Sequence, residues 1–116
     1  MKIVVAFLSI ICLFQKINES PIIGTWNTQE DNTRIQIVEE KGVLVGRIIS
    51  SDNKKAQVDK VILKGLIKSG NGWTGKNFAV KRNEWYDVEI ISKKNILNLK
   101  IQVGIVHKNL IWERLY

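Results

Sequence analysis

Proline, histidine, methionine and cysteine each occur only once in these 116 residues. The single cysteine, Cys12, lies in an apolar run near the start, so the rest of the chain can form neither a disulfide nor a thiolate site. The single histidine, His107, sits in Val106-His107-Lys108-Asn109, which reads as an exposed turn region. A general base or a transition-metal ligand needs a placed partner, and none accompanies it. Gly70-x-Gly72 lacks the following helix, the Lys-Ser/Thr pair and the third glycine of a phosphate loop, and reads as a hairpin turn. Asp87 and Glu89 share one face of a strand. Carboxylates about 5–10 Å apart can do glycosidase chemistry, but this pair reads as a solvated face beside lysines such as Lys100. The expectation is a protein that is not an enzyme, with no metal and no cofactor.

Long apolar runs are scarce too. The one present, Ile3 to Phe14, follows Met1-Lys2 and precedes a polar stretch to Ser20. It is short of the roughly 20 residues that span a bilayer, and has the form of a secretory signal peptide. Residues 1–20 are therefore expected to be a leader and residues 21–116 one domain, secreted or periplasmic, without a transmembrane segment. Ile11 stands before Cys12 where lipoprotein processing wants a small residue, which argues against a lipid anchor there. Taking away two lysines and one glutamate with the leader changes the net charge from +7 to +6. A basic domain favours anionic partners. The lysines are scattered with no run longer than two, which predicts no specific nucleic-acid site.

Strand signals recur along the remainder at intervals of about 8–12 residues, the spacing of an all-β barrel or sandwich. Ile22–Gln29, Thr33–Glu39, Val43–Ser50, Trp73–Val80, Glu84–Ser92, Ile96–Val103 and Asn109–Tyr116 read as strands, with turns such as Lys41-Gly42, Ser69-Gly70-Asn71-Gly72 and Lys93-Lys94-Asn95 between them. Gln57–Ile67 is open between a short helix and a strand, and its β-branched content leans to strand. Gly24-Thr25-Trp26 at one end and Trp112-Glu113-Arg114 at the other predict a closure in which a guanidinium lies over an indole. Gly24, Trp26, Trp112 and Arg114 are the residues expected to build that closure, which joins strands far apart in sequence.

The order Gly24-x-Trp26, Ile35-x-Ile37, Gly42, Gly46-x-Ile48, Trp73-x-Gly75, Tyr86, Leu97-x-Leu99 and Trp112-x-Arg114 resembles a family of small secreted bacterial proteins catalogued as domain of unknown function 2147. The resemblance covers most of residues 23–115. It implies a barrel related to lipocalins and fatty-acid-binding proteins and an exported location, but no chemistry. The chain departs from the family's pattern in two places. Where the family carries an Asn-Pro-Asp segment with nearby arginines, this chain has a shortened Ser51–Lys60 that retains Asp52 and Asp59. Where the family has Tyr-Asp-Pro after the central tryptophan motif, it has Phe78-Ala79-Val80.

The fold expected is thus all-β, a small antiparallel lipocalin-like (calycin) barrel of about eight strands. Such a barrel is filled by side chains or holds one small ligand. Leu97, Leu99 and Ile101 alternate inward and would line an apolar cavity. Trp85 shares a face with Asp87 and Glu89, opposite Tyr86, and is the exposed aromatic available for contact. The function expected is non-enzymatic binding of a small apolar or amphipathic ligand. The alternative is an envelope interaction module, a filled barrel whose basic surface contacts acidic polysaccharide or lipid.

Overall fold

The computed structural model describes residues 20–115, so the expected leader, Cys12 and Tyr116 lie outside the described residues, apart from Ser20. Eight strands run in order: β1 (Gly24–Asn27), β2 (Arg34–Glu40), β3 (Val43–Ser50), β4 (Val61–Ser69), β5 (Gly72–Ala79), β6 (Glu84–Lys93), β7 (Ile96–Val103) and β8 (Val106–Arg114). Each pairs antiparallel with the next, and β8 returns to β1, closing the barrel. The expected all-β class and the eight-stranded closed barrel are both present.

Alternation decides which residues fill it. On β2, Ile35 and Ile37 are buried while Arg34, Gln36 and Glu39 are exposed. On β7, Leu97, Leu99 and Ile101 point in, and across from them on β8 stand Trp112, Leu110 and Lys108. The outer wall carries Lys64, Lys76, Asp87, Glu89 and Lys100. Apolar inside and charged outside is the inverse of a membrane-spanning barrel. No helix among the described residues is long and apolar enough to cross a membrane.

The segment left open between helix and strand is strand from Val61. It keeps no clean alternation, because its pairing with β5 shifts register between Lys64 and Ile67. Its pairing with β3 also skips Ile62, since Gly46 faces Leu63 and Arg47 faces Val61, so Ile62 and Leu63 are both buried, while Ile67 is 66% exposed. Several expected boundaries move by one or two residues, and the start of the last strand moves further. Gly104 and Ile105 alone make the last turn, with Gly104 at φ +63°, so β8 begins three residues earlier than expected. Glycine with positive φ at the first central position is the signature of a two-residue type II′ hairpin. His107 therefore lies on β8 across from Gln102, exposed, rather than in a turn.

The barrel has two unlike ends. At one end Pro21–Ile23 passes beneath the strands, with Ile22 fully buried. The Trp26 indole Nε1 donates to the Ile22 carbonyl at 3.0 Å. At the other end open four connections: the β1–β2 turn, the Ser51–Lys60 loop, the β5–β6 turn and the β7–β8 turn.

Candidate functional site: the barrel mouth and its cavity

β1 and β8 meet only at Trp26↔Arg114 and Asn27↔Glu113. That seam is short, whereas β7 and β8 pair from Ile96↔Glu113 to Val103↔Val106. Arg114 reinforces it. Its guanidinium carbon lies 4.4 Å from the centre of the Trp26 ring. Its Nη1 donates to the Ile23 carbonyl at 3.0 Å and its Nη2 to the Pro21 carbonyl at 2.6 Å. Gly24 starts β1 opposite Ile37. Trp112 takes no part in the stack: it is 3% exposed and points inward across from Leu97.

With this end closed, the remaining space lies toward the four open connections. A cavity of about 320 Å³ runs from the mouth down to Trp112, walled by Ile35, Ile62, Tyr86, Ile101 and Leu110. Ligand pockets start at about 300 Å³, and a dry apolar cavity of about 150 Å³ takes benzene. The space thus suits a body of roughly a dozen non-hydrogen atoms. Thr28, Thr33 and Asn53 add polar groups to its lining, and Asn77, 5% exposed, donates through Nδ2 to the Ile62 carbonyl at 3.4 Å. Burying an amide is costly unless it is hydrogen-bonded, so Asn77 is the polar group within reach of a ligand deep in the barrel.

The rim is charged. Glu30 and Asp31 stand on one side, Lys81, Arg82 and Lys108 on the others. Lys108 faces inward, as the cross-strand partner of Ile101. Lys81 Nζ lies 4.0 Å from Asp31 Oδ2. A second groove opens between the Ser51–Lys60 loop and the β5–β6 turn, lined by Lys54, Lys55, Lys60, Lys81 and Arg82. It shares Phe78, Val80, Lys81 and Arg82 with the cavity, so the basic groove and the apolar interior are continuous.

Only one of the expected lining residues reaches the cavity. Ile101 lines it, while Leu97 and Leu99 belong to the packed half beyond it. Trp85 faces outward and is half-buried. Its ring meets Phe78 edge-on, with centroids 5.2 Å apart, and Lys64 Nζ caps it at 4.0 Å. Sequence reasoning missed Tyr86, Ile62 and Asn77 as lining residues, although the parity that sets Tyr86 opposite Trp85 already turned it inward. Asp87 is paired with Lys76, and Glu89 lies across from Lys100 on the outer wall. Among the described residues no group of three or more histidine, cysteine, aspartate or glutamate side chains could hold a metal ion.

Arg47 ties the mouth loop to the barrel. It grips Glu40 through both carboxylate oxygens, at 2.9 and 2.8 Å, and donates to the Asp59 carbonyl at 2.8 Å. Its hydrogen bonds hold the Glu40 carboxyl below its ordinary range, and Glu40 in turn raises the guanidinium. A carboxylate depressed on folding stabilises above its unfolded pKa, and that contribution is lost as pH falls through the folded one. Glu40→Gln should therefore lower the melting temperature at neutral pH and merge with the native chain at low pH, so that the acid limb is flatter. An unchanged acid limb would count against the pair.

No family model, curated protein or solved structure matches the chain.

Proposed function

We propose that the protein is a non-enzymatic binder of a small apolar or amphipathic molecule. The observation that carries this is the apolar cavity of about 320 Å³ opening through a charged rim. The apolar part of the ligand sits between Tyr86, Ile101 and Leu110, and its polar end stays at the mouth near Lys108 and Arg82. Burying apolar ligand surface supplies the driving force, at roughly 25 cal/mol per Å² before the costs of association. An exported location belongs to the same proposal, supported by the Met1-Lys2 start and the apolar run that follows. So does kinship with the domain of unknown function 2147 family, supported by the order of its glycine and tryptophan motifs.

An environment-sensitive fatty probe tests the reading. Its fluorescence should rise on mixing with the protein, and an unlabelled amphipath of similar length should reverse the rise. Val103 lines the cavity near the mouth and is half-buried, so a larger side chain there has room to settle without breaking the packed half. Val103→Trp should weaken probe binding at least about tenfold, the loss of about 1.4 kcal/mol, with the melting temperature nearly unchanged. No response from the native chain would end the proposal.

A further inference from the structure

The mouth also displays apolar side chains that serve neither the core nor the cavity. Ile105, at the tip of the β7–β8 hairpin, is 98% exposed. Val106 beside it is 59% exposed, and Val58 in the Ser51–Lys60 loop is 61% exposed. Turn chemistry does not explain Ile105. Glycine, asparagine, aspartate, proline and serine dominate turns because each satisfies or presets the backbone, and an isoleucine does neither. Ile91 and Ile111, exposed on the outer wall, are separated by Asn98, which pairs with both. Such scattered residues need no explanation.

Position around the mouth gives the apolar tips their meaning. Going round the ring, the Ser51–Lys60 loop is followed by the β5–β6 turn and then by the β7–β8 turn. Val58 belongs to the Ser51–Lys60 loop and Ile105-Val106 to the β7–β8 hairpin. Lys54, Lys55, Lys60, Lys81 and Arg82 line the groove between that loop and the β5–β6 turn, and Lys108 follows just inside. The acidic residues Glu30 and Asp31 stand on the fourth connection, the β1–β2 turn, where Asp31 lies 4.0 Å from Lys81 and accepts from Asn53 Nδ2 at 3.2 Å, which leaves the other cations of the arc in excess. Asp52 is held by Asn32 Nδ2, and Asp59 lies in the loop beside Lys60. Apolar tips flanking a row of cations match a bilayer interface, where the side chains enter the headgroup boundary and the cations meet lipid phosphates.

We propose that the open end of the barrel docks on an anionic lipid bilayer, with Ile105, Val106 and Val58 entering the interface and the lysine–arginine arc facing the phosphates. The cavity then opens onto the lipid. Docking does not depend on the cavity holding a ligand.

Vesicle co-sedimentation of the described domain, which carries the buried cluster from Ile22 to Trp112, tests it. The native domain should bind vesicles containing anionic phospholipid and bind purely zwitterionic ones at least about tenfold less, with added salt weakening the former. A Val58→Ser and Ile105→Ser double variant should lose at least about fivefold in binding, with the melting temperature unchanged because neither side chain is packed. Ile67→Ser, which removes an isoleucine 66% exposed on β4 outside the mouth, should leave binding intact. Equal binding by native and double variant overturns the proposal. So does an equal loss from Ile67→Ser, or the absence of vesicle binding. A native dimer formed without lipid and broken by the double variant would overturn it too, by making the tips a contact between copies.

Discussion

Trp26→Ala should remove most of the barrel's stability. Trp26 is fully buried and is the largest fully buried side chain of the described residues. Deleting a buried aromatic costs about 3–5 kcal/mol, through lost transfer energy and the cavity left behind. A domain of this size has only about 5–15 kcal/mol to lose, and small chains sit toward the low end. More than packing goes with the indole. Its Nε1 holds the Ile22 carbonyl, and its face carries the Arg114 guanidinium at 4.4 Å. The variant thus loosens the plug beneath the barrel and the seam between β1 and β8 together. Urea denaturation should show a large fall in the midpoint, and the variant should be partly unfolded at room temperature. A loss under about 1 kcal/mol would mean that the closure is decorative. Arg114→Lys should restore little of what Arg114→Ala removes. An ammonium lacks the planar fork that reaches the Ile23 and Pro21 carbonyls while lying flat on the ring.

Gly72→Ala should be the most costly small change in the molecule. Gly72 is buried at the start of β5, where β6 passes close by. A Cβ placed there would sit 2.2 Å from the Ile90 carbonyl oxygen and 3.3 Å from Ile91 Cγ1. The oxygen belongs to the backbone, so it cannot swing away; β5 and β6 must separate. Overpacking of this kind costs about 1–3 kcal/mol and sometimes more, a large share for one methyl group. Gly42 provides the control: a Cβ there meets nothing within 4 Å, although its φ is +81°. Gly42→Asn should cost under about 1 kcal/mol, because asparagine tolerates the left-handed region in turns. Thermal unfolding of the two variants should separate them clearly, and equal melting temperatures would contradict the close approach.

Much of the barrel could be read in the chain itself, and the reasons are local. Ile96–Val103 is a strand with the bounds its alternation predicts, and Val43–Ser50, apolar almost throughout, with the bounds its flanking turn and loop predict, because side-chain parity and turn chemistry are properties of short segments. Val61–Ser69 was harder to read, since the register shift between Lys64 and Ile67 breaks the period that sequence reading depends on. The cavity shows the same division. Alternation turns Leu97, Leu99 and Ile101 inward, but only Ile101 reaches the open space. Parity tells which face a residue occupies, not how far along the barrel axis it lies. That height follows from strand tilt and stagger, which are settled only when the sheet closes. Trp85 is a parallel case: its outward direction follows from its neighbours in sequence, whereas the Phe78 edge and the Lys64 cap come from β5 and β4.

By itself the order of residues determined the all-β class, the inward faces of the strands that alternate, and an indole and a guanidinium at the two ends of the chain. Tertiary structure alone decided which end is plugged, where the empty volume lies, and that Asp31, Lys81 and Lys108, distant in sequence, share one rim. The physical reason is reach: propensity and periodicity act over a few residues, while a cavity and its rim are defined by packing between segments that only closure brings together.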